Sequence, residues 1–274
     1  MAITRRSALK GVLATTVGAI AGIGVHGVAF ERHDIGVTDA ELPVSGLAPA
    51  LDGVRVGLLT DVHHSRTVPA RDVRRAVDLL MATRPDLIVL GGDYVTWGER
   101  AYVEPVAELL APLAAPQGVF AILGNHDDDR DMPAALSARG FTVLKDQRTR
   151  IVLRGERLEI AGIRFWTRRP HDVARVLRGA TETTILLAHD PRRLVEAAAL
   201  DVPAVLSGHT HGGQVVLPGL GAIARRQFPV VQGLGSRGST NIFVSRGVGT
   251  VYVPIRVNCP PEVAVVTLRR RSDI

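Results

Sequence analysis

Seven side chains of the kinds that bind divalent metal ions recur along the chain. They are Asp61, His63, Asp93, Asn125, His189, His209 and His211. The first two and the last two each stand two residues apart, a spacing that directs both side chains to the same side of an extended backbone. Oxygen and nitrogen donors of these types suit manganese, iron, zinc or cobalt. The set therefore predicts a metal site but does not identify the metal.

The number of donors indicates two ions rather than one. A single ion with an open position takes three or four protein ligands. Seven donors, one of them a bridging carboxylate, are sufficient for two ions that stand about 3.5 to 4 Å apart. The single cysteine, Cys259, stands beside Pro260-Pro261 with no neighbouring base, so we interpret it as structural and not as a nucleophile.

Short apolar segments of strand length lead to these ligands, and a candidate helix often follows. The predicted strands cover 54–60, 87–90, 119–123, 184–188 and 204–206. The predicted helices cover 69–83, 99–113, 131–139 and 191–200. In folds that alternate strands and helices, functional groups gather at the carboxyl ends of the strands. We therefore expect the ligands to meet at one site.

Two other segments predict strands with no helix between them. Residues 150–154 and 157–163 have the alternation of a hairpin, and strand patterns continue over 242–268. The predicted fold class is therefore α/β, with two mixed β-sheets packed face to face and flanked by helices.

Three ranges divide the chain. Residues 1–30 form a targeting segment, residues 31–52 a linker with an edge strand near 38–44, and residues 53–274 the folded domain. Within that domain, three segments have no interpretable pattern and are assigned to pocket loops: 97–102, 164–172 and 219–237.

The composition excludes several classes of protein. With 274 residues, 46% of them hydrophobic, the chain can bury a sizeable core, and a predominantly disordered state is excluded. A single cysteine rules out an intramolecular disulfide framework. The formal charge is +6, of which Arg5, Arg6 and Lys10 supply three, so the remainder is too mildly basic to indicate a nucleic-acid partner.

The first thirty residues have the pattern of a signal or anchor. The basic start is followed by an uncharged run over 11–30, which is typical of targeting segments. Twenty residues at about 1.5 Å each are just long enough to cross a bilayer. A cleaved export signal and an uncleaved membrane anchor are alternatives, and both predict a domain outside the cytoplasm.

Five motifs, in this order, resemble those of the calcineurin-like metallophosphoesterase superfamily from about residue 54 to the C-terminus. They are Asp61-Val62-His63, Gly92-Asp93, Gly124-Asn125-His126-Asp127, His189 and Gly208-His209-Thr210-His211. The resemblance implies a four-layer αββα sandwich. It also implies a hydrolase that cleaves a phosphodiester, pyrophosphate or phosphomonoester with a hydroxide activated by two metal ions. The alternative is a catalytically silent protein of the same fold that binds a metal or another ligand.

The resemblance implies a role for each residue. The first ion would take Asp61, His63, Asp93 and His211, and the second would take Asp93, Asn125, His189 and His209, with Asp93 as the bridge. His126 would stabilise the transition-state charge or protonate the leaving oxygen. Asp127 would be its orienting partner.

Two arginines are candidates for holding the substrate phosphate. Arg246 and Arg256 could bind it bidentately, although arginine-rich surface strands are common. Two positions depart from the family pattern. This chain has Trp97 where many relatives have an aspartate four residues after the Gly-Asp pair, and His64-Ser65 where a glycine often follows the first motif. These departures concern the shape of the pocket and leave the ligand set complete.

The N-terminal arginine pair, residues 207–214 and the tail at 244–247 and 260–262 resemble a bacterial subgroup of membrane-anchored or twin-arginine-exported phosphoesterases. That subgroup is similar to enzymes that hydrolyse the pyrophosphate of UDP-2,3-diacylglucosamine. The resemblance implies a small-molecule or lipid-linked phosphoester as substrate and the membrane as a partner through the N-terminal segment.

Overall fold

The computed structural model describes residues 5–222 and 227–271, which form two six-stranded sheets, a two-stranded ribbon and six α-helices. The first sheet places an early strand beside the last one. Its strands, in spatial order, are β1 (Gly36–Val44), β14 (Glu262–Arg270), β2 (Arg55–Leu59), β3 (Leu87–Leu90), β4 (Val119–Ala121) and β5 (Thr142–Val143). The β14–β2 pair is antiparallel and the other neighbours are parallel.

The second sheet has parallel strands at its centre and an antiparallel pair at each edge. Its spatial order is β12 (Gly233–Arg237), β13 (Thr240–Val244), β9 (Ala204–Ser207), β8 (Thr184–Ala188), β7 (Glu156–Ile163) and β6 (Gln147–Leu153). The ribbon consists of β10 (Val216–Leu217) and β11 (Gly221–Ala222).

The helices cover the outer face of each sheet. Those on the first sheet are α2 (Ala70–Ala82), α3 (Val103–Leu110) and α4 (Asp131–Ala138), and those on the second are α5 (Pro170–Leu177) and α6 (Leu194–Ala199). In α2, Val73, Ala76, Val77 and Leu80 are buried, the spacing of one helix face. Two sheets between two layers of helices make the four-layer α/β sandwich that was predicted.

Alternating side chains of the strands fill separate cores. In β8, Ile185 and Leu187 face the core between the sheets, whereas Leu186 and Ala188 pack under α5 and α6. Because both faces of such a strand are covered, every residue of it is buried. This explains why the strands read as continuous apolar segments.

The N-terminal helix α1 (Arg5–Ala29) precedes these layers, and near its end the Arg256 amide donates to the Gly27 carbonyl at 3.2 Å. None of the helices in the described part of the chain is both long and apolar enough to cross a membrane. Residues 1–4 of the predicted targeting segment lie outside the described residues.

The remaining differences from the predicted elements are local. Helix α5 lies partly in the predicted loop 164–172, and β12 lies in the predicted loop 219–237, of which residues 223–226 are outside the described residues. The segment 242–268 contains only parts of β13 and β14, because its middle is interrupted by glycines and Pro254. The edge strand expected near 38–44 is confirmed as β1, which pairs with β14 over nine residues at the edge of the first sheet.

Candidate metal centre

The predicted ligands converge at the carboxyl ends of strands from both sheets. Asp61, Asp93 and Asn125 follow β2, β3 and β4, whereas His189 and His209 follow β8 and β9. The histidines and aspartates form two groups in which the ligand atoms lie within 4.8 Å of one another. The groups are Asp61, His63 and His211, and Asp93, His189 and His209.

Asp93 lies between the two groups. Its Oδ2 atom is 3.5 Å from His63 Nε2 and 3.1 Å from His189 Nε2. Its other oxygen, Oδ1, accepts a hydrogen bond from the His126 backbone amide at 2.8 Å. One carboxylate oxygen is therefore anchored, and the other faces both groups, as a bridging ligand requires.

Three atoms of predicted ligands are among the buried side-chain atoms without a hydrogen-bond partner in the described residues: Asn125 Oδ1, His189 Nε2 and His211 Nδ1. Buried polar atoms are nearly always satisfied, so unsatisfied atoms on three neighbouring donors fit a cation. The other nitrogen of His189, Nδ1, is 2.7 Å from the Gly91 carbonyl and must donate to it, which turns Nε2 toward the Asp93 carboxylate, 3.1 Å away, where a bound ion would take the place of the Nε2 proton. The donor set and its supporting contacts therefore fit two divalent ions.

Burial sets the charge state of most of the histidines. It lowers the pKa of His63 to about 3 and that of His209 to about 4, and it also lowers the pKa of His211 well below the ordinary range. These imidazoles are neutral at pH 7, the state that binds metal. For His189, burial acts in the same direction, but the carboxylates of Asp93 and Asp61 outweigh it and raise its pKa to about 10. The carboxylates of Asp93 and Asp61 therefore make the centre favourable for a positively charged group.

The ligand loops have strained backbones. Asp61, His63, Asp93, His209 and His211 all have positive φ angles, between 48° and 73°, which side chains other than glycine seldom adopt. The expectation of an extended backbone at 61–63 and 209–211 is therefore wrong. Backbone strain of this kind is common at functional sites. Here it occurs after the strands end, where the backbone turns toward the candidate metal centre.

His126 lies beside the centre, with its ring centroid 4.9 Å from that of His63. The Trp97 backbone amide donates to His126 Nδ1 at 3.0 Å. Since Nδ1 accepts, the proton of the neutral imidazole lies on Nε2. The ring can therefore present an N–H donor to an oxygen of a bound phosphoester.

The contacts of Asp127 differ from the prediction. Its carboxylate does not orient His126; it accepts backbone N–H groups of Asp93, Tyr94 and Gly124 at 2.7 to 2.9 Å. Burial, and then the nearby Asp93 charge, raise its pKa to about 7. Asp127 thus ties the loop that carries Asp93 to the loop that carries Asn125.

The two arginines proposed as phosphate ligands are engaged elsewhere. Arg256 is fully buried, and its guanidinium donates to backbone carbonyls, among them those of Gly249 at 2.6 Å and Arg246 at 2.8 Å. Arg246 pairs with Glu262 at 2.5 Å. Both arginines hold the segment 245–261 in place, a role that their sequence positions did not indicate. Cys259 is also buried, and burial raises its pKa, which suits a structural thiol.

Four aromatic side chains flank the centre, of which only Trp97 could be connected with the pocket from the sequence. On one side, the Trp97 ring packs 4.5 Å from His126 and 5.4 Å from Tyr252. On the other side, Phe165 and Phe228 pack against His209, with centroid distances of 5.3 and 5.5 Å. Only 4% of the chain is aromatic, yet both tryptophans lie in segments assigned to pocket loops. That placement was the feature of the sequence that indicated aromatic side chains near the centre.

Comparison with known proteins agrees with this geometry. A family model described as calcineurin-like phosphoesterase matches residues 54–213. YkuE of Bacillus subtilis, an uncharacterized metallophosphoesterase, is 32% identical over 97% of this chain and 98% of its own length. The phosphodiesterase YaeI of Escherichia coli is 32% identical over 78% of this chain and 82% of its own length. Among solved structures, an archaeal phosphodiesterase aligns at 13% identity with a TM-score of 0.42, over 72% of this chain and 87% of that one.

Proposed function

Since this chain belongs to the calcineurin-like phosphoesterase family, we propose that it is a phosphodiesterase that uses two divalent metal ions. The observation that carries the proposal is the pair of buried donor groups with Asp93 between them and the unsatisfied Asn125 oxygen beside them. When bound, two such ions lower the pKa of a shared water and neutralise phosphate oxygens.

The residues of the chain then have separate tasks. Asp61, His63 and His211 would hold one ion and Asn125, His189 and His209 the other, with Asp93 available to both. His126 donates its Nε2 proton as a hydrogen bond to the phosphoryl group or transfers it to the leaving oxygen. Asp127 keeps the Asp93 and Asn125 loops in register through its three backbone contacts.

The aromatic side chains on both sides of the centre favour a phosphodiester over a phosphomonoester as the substrate. A phosphodiester has two organic substituents, and the Trp97–Tyr252 side and the Phe165–Phe228 side offer a surface to each. The name of YaeI, a phosphodiesterase, points the same way. The pyrophosphate of UDP-2,3-diacylglucosamine is one candidate that fits this description.

We also propose that the domain is exported. The support is the basic start at Arg5-Arg6, followed by the uncharged run over 11–30. Changing both arginines to lysine should leave the protein in the cytoplasmic fraction of the cell. Unchanged export of that variant would refute the twin-arginine route.

The test of the activity is hydrolysis by metal-stripped full-length protein that is resupplied with manganese. The substrates are a bis-aryl phosphodiester, an aryl phosphomonoester and UDP-2,3-diacylglucosamine. Manganese-dependent release, fastest for a diester and absent in Asp93→Asn, is the expected result. A protein that binds two ions yet cleaves none of these substrates would instead favour the catalytically silent alternative.

A further inference from the structure

Over 15–19 and 21–29, the part of helix α1 whose side chains the structure describes, the helix is mostly exposed and carries apolar side chains. Val17, Ile23, Val25 and Val28 are exposed, whereas Gly27 near its end is buried. A helix with apolar side chains on several faces is stable only where something covers it. Residues 1–30 contain three cations and no acidic residue, so the covering surface should be both apolar and anionic.

A second exposed apolar surface is linked to the candidate metal centre through Trp97, which packs on His126, and we call this surface the apolar rim. It consists of Trp97, Leu217, Leu220, Tyr252 and Val253, which are between 39% and 80% exposed. Three backbone or side-chain contacts join its loops: the Val216 amide donates to Val257, Gln214 Nε2 donates to Val253, and Gln214 Oε1 accepts from Val251. The segments 214–222 and 250–258 contain no acidic residue.

The helix and the rim are joined. The Arg256 amide donates to the Gly27 carbonyl at 3.2 Å, and a methyl group at Gly27 would collide with Arg256 and Ile255. The same segment carries Tyr252, whose ring packs on Trp97, and Trp97 packs on His126. One series of contacts therefore runs from α1 through the rim to the metal centre.

We propose that the apolar rim and α1 together dock on an anionic lipid membrane, with the metal centre facing its surface. Tryptophan and tyrosine are the residues enriched where a protein meets the headgroup region, and basic segments are attracted to anionic lipid. It follows, resting on the proposed function, that the phosphodiester substrate is a membrane-resident amphiphile.

The two tryptophans allow a direct test of docking. Trp166→Phe leaves Trp97 as the single tryptophan, so its fluorescence reports on the rim alone. The full-length protein is mixed with vesicles of phosphatidylglycerol and phosphatidylethanolamine, with or without bromine on the acyl chains. We expect sedimentation with these vesicles to exceed that with phosphatidylcholine vesicles at least tenfold, and brominated lipid to quench Trp97.

A matched pair of double variants distinguishes binding through the apolar rim from nonspecific hydrophobic binding to vesicles. Leu220→Ser/Val253→Ser should lower vesicle binding and Trp97 quenching at least fivefold. Val152→Ser/Val195→Ser removes side chains that are also exposed, at 60% and 45%, on β6 and α6, and should change neither readout. Circular dichroism checks that both variants fold.

Three results would overturn the proposal. The first is sedimentation without Trp97 quenching, which would mean that α1 tethers the chain while the rim stays in water. The second is equal binding to phosphatidylcholine. The third is self-association of the parent protein that the rim variant abolishes, because a second copy would then be the occupant. None of these readouts requires turnover, so failure of the proposed hydrolysis would be seen separately.

Discussion

The Trp97 backbone amide positions His126 by a hydrogen bond to Nδ1. This contact determines the effect that we expect when His126 is replaced. Because the Trp97 amide occupies Nδ1, the proton of the neutral ring lies on Nε2, and the ring itself is not needed to hold an ion. We expect His126→Ala to retain both metal ions and to lower kcat by about 10²- to 10⁴-fold. Metal analysis and steady-state kinetics on the bis-aryl diester measure the two effects.

The control for this variant is His171→Ala, which removes an exposed imidazole on α5 that pairs only with its neighbour Asp172 among the described residues. It should leave both quantities unchanged. Loss of metal from His126→Ala would instead show that His126 belongs to the ligand set.

Residue types and order could identify the ligand candidates, but they could not identify the residues that support them. The partners of Asp127 are backbone amides, two of which lie more than thirty residues away, and backbone amides leave no trace in residue type. Likewise, the burial of Arg256 depends on carbonyls that only the folded segment 245–261 brings together. Sequence motifs therefore indicate which residues can take part in the chemistry. Only the tertiary contacts show which polar residues instead hold the surrounding segments in place.

The loops that follow β3 and β4 approach each other so closely that only glycine fits between them. A methyl group at Gly124 would collide with the carboxylate and backbone nitrogen of Asp93. We expect Gly124→Ala to weaken metal binding at least tenfold and to lower the free energy of unfolding by about 2 kcal/mol, as overpacking does. Gly36→Ala on β1, where a methyl group would meet open space, is the control, and titration calorimetry with urea unfolding gives both numbers. Full metal affinity in Gly124→Ala would contradict a rigid contact between the loops.

Asp146 anchors the loop that carries Phe165 and Trp166. Burial alone would raise its pKa, but hydrogen bonds from Thr167 and Arg164 outweigh burial and hold it below its ordinary value of 3.8. A lowered pKa stabilises the fold above about pH 3.8, and this contribution is lost as the pH falls through the folded-state value. Asp146→Asn should therefore lower the free energy of unfolding by about 2 kcal/mol at pH 7. Below pH 4 the decrease should become progressively smaller.

Urea unfolding at several pH values tests this. Asn tolerates the positive φ of Asp146, so the substitution removes charge with little backbone strain. Asp201→Asn, at an exposed position with a similar φ of 54°, should cost little at any pH. A cost for Asp146→Asn that does not change with pH would assign the effect to shape and not to charge.

The elements that could be predicted are those with covered faces. Strands such as β3 and β8 are buried throughout because helices and the opposite sheet cover them. Helix α5 buries only Val173 and Val176 and begins among arginines, so it resembles a loop. Strand β12, with two glycines, exists through its pairing with β13, and pairing of this kind overrides local preference.

At the scale of the whole molecule, the candidate metal centre lies between two sheets that share one apolar core. Asp61, Asp93 and Asn125 come from the first sheet and His189, His209 and His211 from the second, so ions bound there would link the two sheets. Alternating strands and helices were sufficient to predict this arrangement, because parallel strands from both sheets end at one edge.

Removal of metal should therefore destabilise the entire fold and not one loop. An ion that binds only the folded chain adds about 2.7 kcal/mol at a hundred times its dissociation constant, and a chain of this size gains roughly 2 to 4 °C in melting temperature per kcal/mol. We expect stripping to lower the melting temperature by roughly 5 to 10 °C for each site, in a single transition, and manganese to restore it. Asp93→Asn, which lacks the bridging carboxylate, should gain much less from manganese. If stripping left the transition unchanged in the parent protein, the ions would not link the two sheets.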